Sequence, residues 1–370
     1  MTQFSAADFK HMARAIRLAR NGLYTTHPNP RVGCVLVKDG EIVAEGWHEQ
    51  AGEPHAEINA IKAASEEAKG ATAYVTLEPC CHQGRTPPCS DALIAAGVTR
   101  VVAAMQDPNP QVAGQGMQSL KAAGIATSVG VLQREAESLN PGFIKRMQRG
   151  QPYVRLKQAV SLDGRTAMAS GESKWISGEA ARADVQRMRA QSSAILTGSG
   201  TVLADDPSLN VRDLDIGRQP LRVIIDSNLS IPGTAKLLSL EGETLIVTAI
   251  EDAERVSVFV KAGAEVLCLP NGAGKVDLPA LMQHLAAREI NEVLVEAGTV
   301  LSGSLLSAGL IDELIVYLAP HLMGNNARGM FNLPAIEKMA DRITLQIKDV
   351  TAVGEDWRIT AIPMYQTQTQ

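Results

Sequence analysis

The chain has 370 residues, 45% hydrophobic, 20% charged and only 4% aromatic, with a formal net charge of -5. That length calls for two domains rather than one core. The acidic balance and sparse aromatics argue against a nucleic-acid binder, which needs basic groups for phosphate and rings for stacking. No run of about 18 apolar residues is present to span a bilayer and the N-terminus lacks a signal-peptide core, so a cytoplasmic protein with a small-molecule substrate is expected.

Residues 7–20, ADFKHMARAIRLAR, space Phe9, Met12, Ala13, Ile16 and Ala19 on one face and end at Asn21-Gly22, which predicts a surface helix. VGCVLV, a KDGE turn and EIVAEGW predict a hairpin, followed by a helix over 55–68 and the strand AYVTLE. SDALIAAG, RVVAAM, GMQSLKAAG and IATSVG then alternate helix with short apolar strand, the pattern of a three-layer α/β domain. Residues 140–153 lose the apolar periodicity and carry prolines, glycines and basic side chains, so they are read as a linker between domains of 1–148 and 152–366.

The pattern restarts with the strand YVRLKQAV, a helix over 178–190, and the strands AILTG, LRVIIDS, TLIVTA and EVLCLP. The helix LPALMQHLAARE, the strand EVLVEAG, a helix from Val300, the strand ELIVYLAP and two strands within 343–364 complete a second α/β domain.

Three of the five cysteines, Cys80, Cys81 and Cys89, fall within TLEPCCHQGRTPPC. In a reducing compartment such a cluster points to metal or catalysis rather than disulfides. His55, Cys80 and Cys89 offer three zinc ligands and leave a fourth position for water. His55 and Glu57 are two apart, so they converge on one ion only at the first turn of a helix, here one beginning at Pro54. Glu57 then sits where it can carry protons. A helix after TPPC would aim its positive end at Cys89 and favour its thiolate. The competing arrangement is a closed structural zinc knot with Cys81 or His82 as fourth ligand, and a zinc-stabilised binding protein without turnover is the corresponding function.

The deaminase signature H-x-E followed by P-C-x-x-C occurs here with the cysteine spacing stretched to C-x8-C. With NPRVGCVLV, these segments resemble the deaminase half of the bifunctional riboflavin-biosynthesis deaminase/reductase family. The resemblance implies a cytidine-deaminase-like fold, one zinc ion on His55, Cys80 and Cys89, proton transfer by Glu57, and a substrate pocket lined by Asn29, His48, His82 and Arg85. The family has Ser at the place of Cys81, which makes Cys81 a candidate to exchange with Cys80. A tRNA or cytosine deaminase shares the core but fits neither the charge nor the remaining 200 or so residues.

LKQAVSLDGRTA, SKWIS, TGSGTVLADDPSLNVR, VIIDS and VEAGTVLSGSLL contain no G-x-G-x-x-G fingerprint, although EAGTVLSGSLL follows a strand and opens a helix. Together they resemble the dihydrofolate-reductase-like C-terminal half of the same family. That implies NADPH held by Ala159, Trp175, Thr201, Asp205, Ser227 and the loop Gly298, Thr299, Val300, Leu301, Ser302, Gly303 and Ser304. It also implies a ribosyl phosphate held by Ser173, Arg189, Leu209, Arg212 and Glu296, with Lys157 and Glu296 as proton-transfer groups. The implied reaction is hydrolytic deamination of a diaminopyrimidinone ribosyl phosphate, then reduction of ribosyl to ribityl. A homo-oligomer, dimer or tetramer, is expected.

Overall fold

The computed structural model describes residues 4–81, 88–110 and 112–365. The chain forms two compact units, Met1–Gly150 and Gln151–Gln370.

In the first unit, helix α1 (Ala6–Ala19) starts at a capping box in which the Ser5 hydroxyl accepts the Asp8 N–H and the Asp8 carboxylate accepts the Ser5 N–H. Its buried face includes Asp8, His11, Met12, Ala15, Ile16 and Ala19, while Phe9 is exposed. The expected apolar face is therefore rotated. Asp8 is drawn inward because its second oxygen accepts from Tyr74 Oη at 2.9 Å and the Arg100 guanidinium at 2.7 Å.

Strands β1 (Gly33–Lys38) and β2 (Glu41–Trp47) form the predicted hairpin, and helix α2 (Ala56–Ala64) packs on it. A Cβ on Gly46 would lie 2.4 Å from the Ala56 carbonyl, so only glycine lets β2 approach the first turn of α2 this closely. Next come β3 (Thr72–Val75), α3 (Cys89–Ala95), β4 (Arg100–Ala103), α4 (Gln115–Ala122) and β5 (Ala126–Val129). The sheet order is β2-β1-β3-β4-β5, with β3, β4 and β5 parallel and β1 antiparallel to both neighbours.

The unit closes with α5 (Gln133–Glu137) and α6 (Pro141–Arg149). The expected linker at 140–153 is thus mostly helix. Pro141 stands at its start and the left-handed Gly150 ends it. Phe143 and Ile144 pack on the first unit's core.

The second unit is built on a sheet of nine strands. In chain order the elements are β6 (Tyr153–Ser161), β7 (Arg165–Ala167), α7 (Glu179–Gln191), β8 (Ala194–Gly198), α8 (Ser199–Asp205), β9 (Leu221–Ile225) and β10 (Thr244–Thr248). Then follow α9 (Ala253–Lys261), β11 (Glu265–Cys268), α10 (Leu278–Ala287), β12 (Glu292–Val295), α11 (Thr299–Ser307), β13 (Glu313–Ala319), β14 (Arg328–Gly329), β15 (Thr344–Val353) and β16 (Asp356–Met364). The order is β11-β10-β9-β8-β12-β6-β13-β16-β15, and β7 pairs with β14 separately. All neighbours from β11 to β13 are parallel; β16 and β15 are antiparallel additions at one edge.

Sequence reading missed α8 and α9. Parallel neighbours cannot be joined by a tight turn, so β10 and β11 require a crossover, and α9 supplies it. Along β6 the residues alternate, Val154, Leu156, Gln158 and Val160 buried and Lys157 and Ala159 half-buried on the opposite face. No described helix is long and apolar enough to cross a membrane.

Candidate active sites

In the first unit, His55 is the N-cap of α2, so the helix begins at Ala56, two residues after the Pro54 expected from sequence. The Pro54 carbonyl is used otherwise, lying 3.2 Å from His48 Nδ1. One ligand atom each from His55, Cys80 and Cys89 lies within 4.8 Å of the others. His55 Nδ1 is 3.3 Å from Cys89 Sγ and 3.7 Å from Cys80 Sγ. A zinc ion with Zn–S of about 2.3 Å and Zn–N of about 2.0 Å places nitrogen and sulfur ligands roughly 3.6 Å apart at tetrahedral angles. The three side chains therefore fit the ion.

Their protonation fits as well. The Cys80 thiol is pulled down to about 4, first by a hydrogen bond from Cys89, then by His55 and the Cys89 backbone N–H, against the effect of burial. Cys89 moves strongly upward because it donates to Cys80 and is buried beside Glu57. One proton is thus shared where two thiolates would otherwise repel, and a divalent cation takes its place. The start of α3 donates the Cys89 N–H to Cys80 Sγ at 3.3 Å. The helix end expected to favour the Cys89 thiolate favours Cys80 instead.

Glu57, in the first turn of α2, is buried. Burial pushes its carboxyl up to about 7, with His55 opposing and Cys80 reinforcing, and it accepts a hydrogen bond from Cys89. A carboxyl poised near neutrality can both take and give a proton. His48 is also buried, and burial holds it below the usual imidazole range. A carbonyl only accepts, so His48 Nδ1 carries the hydrogen facing Pro54 and Nε2 accepts from Asn29 Nδ2 at 3.1 Å. This pairing orients the Asn29 amide. Cys81 is absent from the His55, Cys80 and Cys89 group, its Sγ lying 3.9 Å from Gln115 Oε1. His82 and Arg85 lie outside the described residues.

The second unit brings Lys157 of β6, Arg189 of α7 and Glu296, just past β12, to one place. Arg189 holds Glu296 through two bonds, Nε to Oε1 at 2.6 Å and Nη2 to Oε2 at 3.0 Å. Its Nη1 donates to the Asn210 carbonyl at 3.1 Å. Lys157 Nζ is 3.9 Å from Glu296 Oε2. Burial lowers the Lys157 ammonium, Glu296 opposes that and Arg189 adds to it. Burial would raise Glu296, but Arg189, Lys157 and Arg212 together hold it below the usual carboxylate range. Three cations around one carboxylate leave positive charge for an anion.

The other expected contacts have local partners of their own. Thr201 Oγ1 is the nearest atom, at 3.9 Å, to where a Gly298 side chain would begin. Asp205 pairs with Lys174 at 3.3 Å, and Trp175 is 72% exposed with the Arg182 guanidinium 4.8 Å above its ring. Ser227 Oγ accepts from the Val276 N–H at 3.2 Å, Ala159 is half-buried beside Lys157 in the β6 alternation, and Ser173 is half-buried. Arg212 is exposed, its N–H bound to Gln186 Oε1 at 2.9 Å. Leu209 is 2% exposed with its side chain in the core, so it presents backbone.

In the loop opening α11, Gly298, Val300 and Ser304 face solvent, Thr299 and Leu301 are half-buried, and Ser302 and Gly303 face inward. Gln158, missed from sequence, ties that loop to β6 by donating to Ser302 Oγ at 2.7 Å and the Ala297 carbonyl at 3.2 Å.

Comparison with known proteins agrees with this geometry. Residues 5–105 match the cytidine and deoxycytidylate deaminase zinc-binding region, and residues 152–359 match the RibD C-terminal domain. Riboflavin biosynthesis protein RibD of Escherichia coli is 55% identical, covering 94% of this chain and 97% of that protein. The Haemophilus influenzae protein of the same name is 52% identical over 98% of this chain and 99% of its own. Among solved structures, Acinetobacter baumannii RibD is 49% identical with a TM-score of 0.90, covering 97% of this chain and 99% of that one. The deaminase/reductase of Thermotoga maritima is 34% identical with a TM-score of 0.86 over the same shares. The chain belongs to the RibD family, the bifunctional enzymes of riboflavin biosynthesis that join a zinc-dependent deaminase of cytidine-deaminase fold to an NADPH-dependent reductase of dihydrofolate-reductase-like fold.

Proposed function

We propose that residues 1–148 deaminate a diaminopyrimidinone ribosyl phosphate on a zinc ion held by His55, Cys80 and Cys89, and that residues 152–366 reduce its ribosyl group. The observation that carries the reading is the convergence of those three ligand atoms beside the buried Glu57. When bound, zinc supplies the Lewis acidity that makes water nucleophilic near neutral pH and NADPH supplies the hydride.

The chain's residues do the rest. Glu57 takes the proton of the attacking water and delivers it to the departing amine. Asn29, with its amide fixed by the neutral His48, hydrogen-bonds the pyrimidine edge, and the family resemblance adds His82 and Arg85 as substrate contacts. In the second unit, Arg212 and the unused donors of Arg189 draw the substrate phosphate, with Ser173 and the Leu209 backbone beside them. Lys157, whose ammonium burial makes more acidic than usual, exchanges a proton with the sugar as it opens, and Glu296 pairs with it. Ala159, Trp175, Thr201, Asp205, Ser227 and the segment 298–304 at the start of α11 hold the dinucleotide.

The test is mass spectrometry of the substrate after incubation with zinc-replete protein, with and without NADPH. An amino-to-oxo change without cofactor, and two further hydrogens only with it, are expected. A mass that never changes would return the closed zinc knot as the better account.

The reading includes a cytoplasmic homo-oligomer, dimer or tetramer. The edge strand β15 exposes Leu345, Ile347 and Val350, and β16 adds Trp357, an apolar patch suited to a second copy. Sedimentation at the monomer mass would remove that part alone.

A further inference from the structure

Glu78 lies two residues before Cys80 and is 3% exposed, yet among the described residues its carboxylate is met by backbone N–H groups rather than by a cation. Oε2 accepts from Asp107 N at 3.1 Å and Gly114 N at 2.9 Å, and Oε1 accepts from Met117 N at 3.1 Å. Its own N–H donates to the Met105 carbonyl at 3.0 Å. Gly114 is the N-cap of α4 and has no side chain to serve the free N–H groups of the first turn. Glu78 does so from a distant part of the chain, with a charge of the favourable sign for a helix start.

The clamp is tight on its other side. A Cβ on Gly116 would lie 2.0 Å from the Pro79 carbonyl, so α4 rests directly on the residue preceding Cys80. Beyond Cys80, the chain is held by α3. Ser90 N donates to the Cys80 carbonyl at 3.1 Å and Cys89 N to its sulfur at 3.3 Å. Cys80 is therefore suspended between two helix starts, one attached through its own carbonyl and sulfur and the other through Glu78.

We propose that Glu78 is a positioning residue for the metal centre: by capping α4 it fixes Pro79 and so holds the Cys80 sulfur at ligand distance from His55 and Cys89. This rests on the zinc reading given above. Glutamine has the same shape but one acceptor oxygen. In Glu78→Gln an amide NH2 faces a backbone N–H, α4 withdraws from Pro79, and Cys80 gains freedom.

The experiment is chelator competition for zinc on the full chain, with the visible spectrum of the cobalt-substituted protein and the melting temperature read in parallel. Glu78→Gln is expected to lower zinc affinity about 10–100-fold, as loss of groups supporting metal ligands does, and to shift the cobalt bands. Gly116→Ala, which keeps the charge but pushes α4 off Pro79, is expected to act in the same direction. Asp8→Asn, buried at the far start of α1, is expected to lower the melting temperature with zinc affinity unchanged. Wild-type affinity and cobalt spectrum in Glu78→Gln, whatever happens to its melting temperature, overturn the proposal. If Glu78→Gln fails to fold, wild-type affinity in Gly116→Ala overturns it equally. Wild-type zinc affinity in Cys89→Ser would instead remove the ligand assignment itself.

Discussion

The first unit gathers its chemistry into two thiols, one imidazole and one carboxyl around the starts of α2 and α3, whereas the second draws it from the middle of β6, from α7 and from the end of β12, with Arg189 and Glu296 separated by 107 positions. The thiols and the imidazole bring their ligand atoms together in an arrangement that a cation completes. Around Glu296 the charges are already paired within the protein, with an excess of positive charge for the substrate. One site is assembled by what binds it, and the other is held ready in advance. The contrast predicts that damage to the first shows as lost chemistry or metal, and damage to the second shows first as lost stability.

The largest effect is expected from Glu57→Gln. Deamination should fall about 10²–10⁴-fold, the usual contribution of a positioned proton carrier, while reduction of already deaminated substrate by the same protein stays at the wild-type rate. Ammonia release and NADPH oxidation, assayed separately, check both halves. A parallel loss of NADPH oxidation would break the picture of two independently built sites.

A smaller effect, read as stability, separates the partners of the second cluster. Glu296→Gln leaves two buried cations without their carboxylate and should destabilise this unit by about 3–5 kcal/mol. Arg189→Met leaves Glu296 with Lys157 still 3.9 Å away and should cost less. Urea unfolding of both variants checks the order. If Arg189→Met proves the more damaging, Lys157 is not a usable partner and its proposed proton role weakens with it.

The same contrast explains what was legible in the sequence. The metal ligands could be read from spacing because zinc chemistry restricts which residue types serve and a helix start places His55 and Glu57 together. Glu78 stood in the quoted TLEPC but gave no signal, because its partners are backbone groups of 107–117 that no pattern names. Gln158 was hidden for the same reason, inside a strand flanked by residues that did attract notice. In the second unit Lys157, Arg189 and Glu296 were named through resemblance, but their pairing follows from parallel strand order, which periodicity does not specify. The helix α6 went unread although its start and stop residues were visible, because its amphipathic face is short and flanked by basic residues.

The smallest effect concerns the capping carboxylate of α1, whose partners are Ser5, Tyr74 and Arg100. Burial alone would raise Asp8, but Arg100, the Ser5 N–H and the Tyr74 hydroxyl outweigh it and hold the carboxyl well below the usual range. A carboxyl depressed in the folded state stabilises fully above its unfolded value of about 3.9, and that stabilisation fades as pH falls towards the folded value. Asp8→Asn should cost about 1–2 kcal/mol near neutrality, a modest figure because Arg100 is partly solvated. It should also flatten the loss of stability below about pH 4. Urea unfolding at a series of pH values, followed through Trp47, the one tryptophan before residue 150, reads both effects. A variant as acid-sensitive as wild type would mean that the first unit unfolds in acid through its thiol, imidazole and Glu57 cluster instead, and would tie its stability to its chemistry as closely as in the second.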